Sequence, residues 1–244
     1  MDKVYRLFNM LQPESLDELV VTKGLVTFLN PFSISKVKGN ESIYLNFTYI
    51  CSDGILPTLL NQLFKYRKIK RISFDFTSLA SVIFKYGVEN NKNFYFLGAD
   101  QDSICAFIKK IRVLYPELII SGYHHGFFLE NEIDIIDSIV QISPDILIIG
   151  MGTPYQDIIA NKIFQLGFSG AIYTCGGFFT QIANSTNEEY YPKVFNKLNI
   201  RWLYRIIKEP HTRKRYLFYY PKFVLSYSFF LFKERFVEIK NTKS

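Results

Sequence analysis

The sequence predicts an α/β fold: a doubly wound, mostly parallel, Rossmann-like sheet with helices on both faces. Three observations predict it. Runs such as Asp145-Ile-Leu-Ile-Ile149 are continuously apolar and short, which suits strands buried on both faces rather than half-exposed ones. From residue 20 to 176 such runs alternate with helix-length segments, a pattern that requires crossover helices between parallel strands. Glycines also close the strands, as at Gly98, Gly150 and Gly152, where the absence of a side chain lets a ligand reach the backbone.

The elements follow in order. Residues 24–29 read as the first strand, and Ile50-Cys-Ser52 ends a weaker second one. Residues 55–66 read as a helix, with apolar side chains at 55, 56, 59, 60 and 63 on one stripe. Asp75 is expected to open a helix to about residue 86. Residues 93–98 form a strand, 100–114 a helix stopped before Pro116, and 118–121 a strand. A helix over 130–142 precedes the strand 145–149. There Thr153 is expected to cap the next helix, with Pro154 in its first turn. Gln156 and Asp157 would then face the crevice at the carboxyl end of the strand, where open α/β sheets bind ligands. Residues 171–175 make the last strand.

With 244 residues, 48% of them apolar, the chain builds a sizeable core and is not a disordered protein. Cys51, Cys105 and Cys175 are isolated and odd in number. They support neither a disulfide framework nor a zinc site and read as small buried residues in a reducing compartment. MDKVYRLFNM has no apolar stretch of signal-peptide length, so export is not expected. Charge is uneven: residues 1–200 carry 18 Lys and Arg against 19 Asp and Glu, whereas 201–244 carry 11 against 3, with 12 aromatic side chains. The expected organisation is therefore a core over 1–196 and a basic, aromatic, helical appendage over 197–244. Long apolar runs in that tail favour a membrane surface over nucleic acid. Residues 216–232 contain Pro221 and Lys222 and suit lying in the interface better than spanning a bilayer of about 30 Å. Packing on the core is the remaining reading.

The segment Gly150-Met-Gly-Thr-Pro-Tyr-Gln-Asp157 resembles the signature of the WecG/TagA/CpsF family of bacterial glycosyltransferases. Gly150, Gly152, Pro154 and Gln156 match, while Tyr155 and Asp157 replace a lysine and a glutamate. Thr27 and Asn30 in VTFLNPFS, Ser52-Asp53-Gly54, Phe96-Leu97-Gly98, Gly122-Tyr-His-His-Gly-Phe-Phe128, Cys175-Gly-Gly-Phe-Phe179 and the C-terminal Trp202, Arg205, Glu209-Pro210 and Arg215-Tyr216 follow in the family's order. Phe74, Thr180 and Arg201 also depart from its pattern.

The residues themselves leave alternatives open, and the resemblance assigns roles. Asp53 follows a strand and precedes Gly54. It reads as a helix cap on local grounds and as the general base by resemblance, a role that suits a hydroxyl losing its proton as it attacks an anomeric carbon. Thr27 and Asn30 offer a hydroxyl and an amide to the same crevice, or serve the Asn30-Pro31 turn. Gln156 is assigned to the donor sugar or else to solvent, and Asp75 matches a family aspartate without its glycine context. Arg205, Arg213 and Arg215 are expected to stabilise a departing nucleoside diphosphate, or to form a solvated basic face. Asp100-Gln-Asp102 reads as a helix N-cap rather than a metal site. His124-His125 reads as a pair of turn residues, one ring bordering the crevice.

The resemblance implies an inverting, metal-independent transfer from a UDP-sugar, of the N-acetylmannosamine type or another hexose, to a polyprenol-diphosphate-linked acceptor. It needs no cofactor and is placed on the inner face of the cytoplasmic membrane. The alternative is a non-catalytic nucleotide- or lipid-binding protein that kept the fold.

Overall fold

Six parallel strands are ordered β2-β1-β6-β5-β3-β4 in a computed structural model that describes residues 1–185, 207 and 212–241, with side chains to residue 237. The strands are β1 (Gly24–Leu29), β2 (Tyr49–Ser52), β3 (Asn93–Gly98), β4 (Ile119–His124), β5 (Ile146–Gly150) and β6 (Ala171–Thr174). Each is found where a strand is expected, and β4 runs on past residue 121 to take in Gly122, Tyr123 and His124.

Between and around them run α1 (Asp2–Met10), α2 (Leu16–Val21), α3 (Pro31–Lys36), α4 (Ile55–Leu63), α5 (Leu79–Glu89) and α6 (Gln101–Leu114). After these come α7 (Glu132–Ile142), α8 (Tyr155–Gln165), α9 (Phe178–Asn184) and α10 (Tyr220–Asn241).

Side chains along each inner strand alternate between two cores, the consequence of the two-residue period of a strand. Leu25 and Leu29 of β1 join Leu147 and Ile149 of β5 beneath α1, α7, α8 and α10. Val26 and Phe28 join Ile146 and Ile148 on the opposite face, beneath α2, α5, α6 and α9. The sheet is thus wound on both sides. Asp145 locks its lower edge: the carboxylate accepts from the Asn93 backbone N–H at 3.0 Å and from Lys92, while Asn93 accepts from the Asp145 N–H.

Several local expectations shift. Helix α5 starts at Leu79, because the Asp75 carboxylate closes a turn of its own by accepting from the Thr77 N–H at 2.9 Å and the Ser73 hydroxyl at 2.7 Å. Helix α8 starts at Tyr155 without a side-chain cap, since the Thr153 hydroxyl is turned to Asp157. Asp100 does cap α6, accepting from Ser103 N–H at 2.8 Å.

The described part of the tail, 212–241, is seated on the core. Phe223, Tyr227, Phe230 and Leu231 of α10 are buried with α1 and α4. The Tyr227 hydroxyl accepts from Asn61 at 2.6 Å and Asn9 at 2.9 Å, and Tyr5 bonds Ser226. The other face of α10 exposes Leu225, Phe229, Phe232 and Phe236. Packing on the core and an exposed apolar surface therefore coexist. No described helix is long and apolar enough to cross a membrane.

Candidate active site

Two adjoining cavities open along the carboxyl ends of the strands. The first, about 720 Å³, lies over β1, β2 and β6 and is lined by Asn30, Asp53, Arg71, Asp75, Gln156 and Arg215 among others. The second, about 870 Å³, runs over β5 and β4, from Gly176 and Gly177 to His124 and His125. They share Gly152, Gly176 and Gly177, which form the ridge between them.

Asp53 sits at the start of the β2–α4 turn, its backbone N–H bonded to Leu29 O at 3.1 Å. Gly54, at φ +137°, then turns the chain into α4, a conformation that favours glycine. Asn30 has two tasks: its carbonyl oxygen accepts from the Ser33 N–H at 2.9 Å and caps α3, while its Nδ2 approaches Asp53 Oδ2 at 3.4 Å. The cap orients the amide, and the amide faces the carboxylate.

Two cations share this cavity. Arg71 pairs with Ser52 in a single-residue extension of the sheet, and the next N–H, of Ile72, bonds Ser52 O at 3.0 Å. This brings Arg71 beside the β2 end, although it follows a run of lysines and arginines that reads as a solvated surface. Sequence reasoning missed it, and no local signal marks it. Arg215 enters from the π-helical turn Arg215–Tyr219, its guanidinium 4.4 Å from the Phe32 ring centroid. Such stacking orients a planar cation at modest cost. Arg213 is exposed and outside the cavity lining, and Arg205 lies outside the described residues.

Gln156 is buried rather than solvated. Its carbonyl oxygen accepts from the Gly152 N–H and the Gly176 N–H, each at 3.0 Å. One side chain thus fixes both glycine turns of the ridge. Gly152, at φ +79°, has open space at its Cβ position, consistent with a ligand approaching there. Gly98 and Gly150 are glycines for another reason. A Cβ at Gly98 would stand 2.3 Å from Gly150 O, and one at Gly150 would meet Cys175 and Phe179 within 3 Å. Close packing of strand ends demands them, though Gly150 also borders the second cavity.

Thr27 is not in the crevice. It is fully buried on the α8 side of β1, and its hydroxyl donates to Asp157 Oδ1 at 2.6 Å while lying 2.8 Å from Thr174 Oγ1. Tyr44, from the turn Glu41–Asn46, donates to Asp157 Oδ2 at 3.0 Å. Asp157, expected to face the crevice, is instead a buried carboxylate beneath it, held by hydroxyls. Burial pushes its pKa up to about 6, against the opposing pull of those hydrogen bonds. No cluster of three or more metal-ligating side chains occurs among the described residues.

The profile of the Glycosyl transferase WecG/TagA/CpsF family matches residues 8–238. A UDP-Gal:alpha-D-GlcNAc-diphosphoundecaprenol beta-1,4-galactosyltransferase of Shigella boydii is 41% identical over 207 residues, covering 84% of this chain and 85% of the relative. An N-acetylglucosaminyldiphosphoundecaprenol N-acetyl-beta-D-mannosaminyltransferase of Bacillus subtilis (strain 168) is 27% identical over 208 residues, 83% of this chain and 78% of its own length.

Proposed function

The chain belongs to the WecG/TagA/CpsF family of glycosyltransferases, and from that premise we propose that Asp53 is the general base of an inverting transfer from a UDP-sugar to a diphosphoundecaprenol-linked N-acetylglucosamine. The observation that carries this reading is the gathering of Asp53, Asn30, Arg71 and Arg215 in one cavity at the carboxyl ends of β1 and β2. Asp53 takes the proton of the acceptor hydroxyl as its oxygen attacks the anomeric carbon. The bond from that carbon to the diphosphate oxygen breaks on the opposite side, which inverts the centre. UDP leaves with the electron pair, and Arg71 and Arg215 offset its growing charge without a metal ion.

The geometry supports a division of labour between the cavities. The Asp53 cavity is also lined by Leu56, Leu59, Tyr216 and Tyr220, an apolar approach suited to a lipid-linked acceptor. The nucleotide then occupies the second cavity, with its diphosphate at the Gly152 and Gly176 ridge. Gln156 acts here by shaping that ridge, and Thr27 by holding Asp157 beneath it. Leu217, Phe218, Leu225, Phe229 and Phe232 are exposed on the tail and would rest on the inner face of the cytoplasmic membrane, with 197–244 completing the site.

Galactose is the first donor to test, because the 41% identical relative uses UDP-Gal. Purified protein is incubated with a GlcNAc-diphospholipid and either UDP-Gal or UDP-N-acetylmannosamine, and UDP release is followed. Acceptor-dependent release with one donor supports the proposal. Nucleotide binding without turnover on any hexose donor would return the non-catalytic alternative.

A further inference from the structure

The histidine pair at the end of β4 has no part in the chemistry so far, yet its two rings are held in opposite tautomers. His124 Nδ1 lies 2.8 Å from the carbonyl oxygen of His125. A carbonyl only accepts, so Nδ1 carries the proton and Nε2 of the neutral ring is an acceptor. At His125 the arrangement is reversed. The Phe127 backbone N–H donates to His125 Nδ1 at 3.1 Å, which leaves the proton on Nε2 and makes that atom a donor. The ring centroids are 4.3 Å apart, and Phe128 stands edge-on to His124 at 5.7 Å, fixing its plane. Both histidines line the second cavity, and neither Nε2 has a partner among the described residues. One ring with an acceptor and one with a donor thus border the same recess.

Position in the sheet says which part of a ligand meets them. From β6, where the Gly176 ridge begins, to β4 is three strand steps of about 4.8 Å, or about 14 Å. Asp53 lies on the other side of the ridge. A nucleotide sugar whose anomeric carbon is at Asp53 and whose diphosphate crosses the ridge therefore extends its base toward β4.

We infer that His124 and His125 read the imide edge of uracil, His124 Nε2 accepting from N3–H and His125 Nε2–H donating to the adjacent carbonyl oxygen. The inference rests on the reading of the cleft as a UDP-sugar site. With O4 as that carbonyl, cytosine in the same pose presents the lone pair of N3 to the lone pair of His124 and its 4-amino N–H to the N–H of His125. The ribose link fixes which way the base edge lies, so the pair selects uracil nucleotides over cytosine ones.

The test uses the full chain with UDP and CDP as probes. Titration calorimetry should show UDP binding more tightly than CDP, by roughly 5- to 150-fold if the paired contact has the worth of a bidentate base contact. His125→Ala should narrow the difference between the two affinities, and His125→Gln, which keeps an N–H donor at similar reach, should recover part of it. Long-range ¹H–¹⁵N NMR of the wild-type histidines needs no variant and should show one ring protonated at Nδ1 and the other at Nε2. Matching tautomers, equal UDP and CDP affinity in the wild type, or an unchanged ratio in His125→Ala would overturn the inference while leaving glycosyl transfer standing. Failure of the wild type to bind UDP at all would overturn both.

Discussion

Replacing Asp157 by Asn should stabilise the protein at neutral pH and do almost nothing in acid. Asp157 is fully buried with three hydroxyl partners, and no cation contributes to its shift. Its pKa is raised from 3.8 to about 6 because burial disfavours the charged form more than the hydroxyls favour it. Below about pH 3 the carboxyl is protonated in the folded and unfolded chain alike, and the neutral group carries no penalty. As pH rises from about 4 to 6 the unfolded chain ionises this carboxyl freely in water while the folded protein resists doing so, and above about 6 the folded protein holds the anion at its full penalty. The raised folded pKa therefore means stability present in acid and lost on the way to neutrality. A difference of about 2 pH units, at about 1.36 kcal/mol each, is ~3 kcal/mol. Asn is nearly isosteric and neutral at every pH, so the variant escapes this loss. The gap between Asp157→Asn and wild type should widen by ~3 kcal/mol between about pH 3 and 7.5, or about 6–12 °C in Tm for a chain of this size. Thermal melts of both proteins across that range measure it, and taking the difference cancels the titration of all other carboxylates. A constant gap, or one that narrows toward neutral pH, would refute the reasoning.

Gln156→Ala removes the one acceptor shared by the Gly152 and Gly176 amides; it should cost about 1–3 kcal/mol in urea titrations and weaken UDP binding, while Gln156→Glu keeps both contacts. Ending the chain at residue 219 should yield aggregated protein rather than a soluble core, because it uncovers the surface beneath Phe223, Tyr227, Phe230 and Leu231; size-exclusion chromatography checks this. Transfer should persist in EDTA, and Asp100→Ala should lower stability by about 1 kcal/mol through the lost cap without creating a requirement for Mn²⁺; loss of activity on chelation would restore the metal reading.

The strands were legible because a parallel sheet covered on both faces leaves continuous apolar runs, and glycine turns mark their ends. Helices α1 to α3 were harder to place: two have six residues, and Asn30 before Pro31 reads equally as a turn, although Ser15 three residues before Glu18 is a capping signal that α2 uses. The docking of α10 was hidden because apolar side chains surround that helix, so its sequence does not say which face the core takes. Thr27 is set by a partner far away in the chain. It shares a strand face with Leu25 and Leu29, and a hydroxyl buried there needs a polar partner from the covering helix. Asp157 in the first turn of α8 is that partner, a pairing across 130 residues that no local pattern reveals. Asp53 was expected at the crevice from its place between a strand and Gly54, and it lines the first cavity. Arg71 was not, since a single bridge to Ser52 brings it to the site.

Asp53→Asn, assayed for transfer and for UDP binding in the same preparation, asks whether Asp53 removes the acceptor proton. The side chain is partly exposed at the cavity wall, so the variant should fold and bind UDP as the wild type does. Acceptor-dependent UDP release should fall by roughly 10²–10⁴-fold, the range for loss of a general base. Transfer at near wild-type rate in that variant would contradict the account.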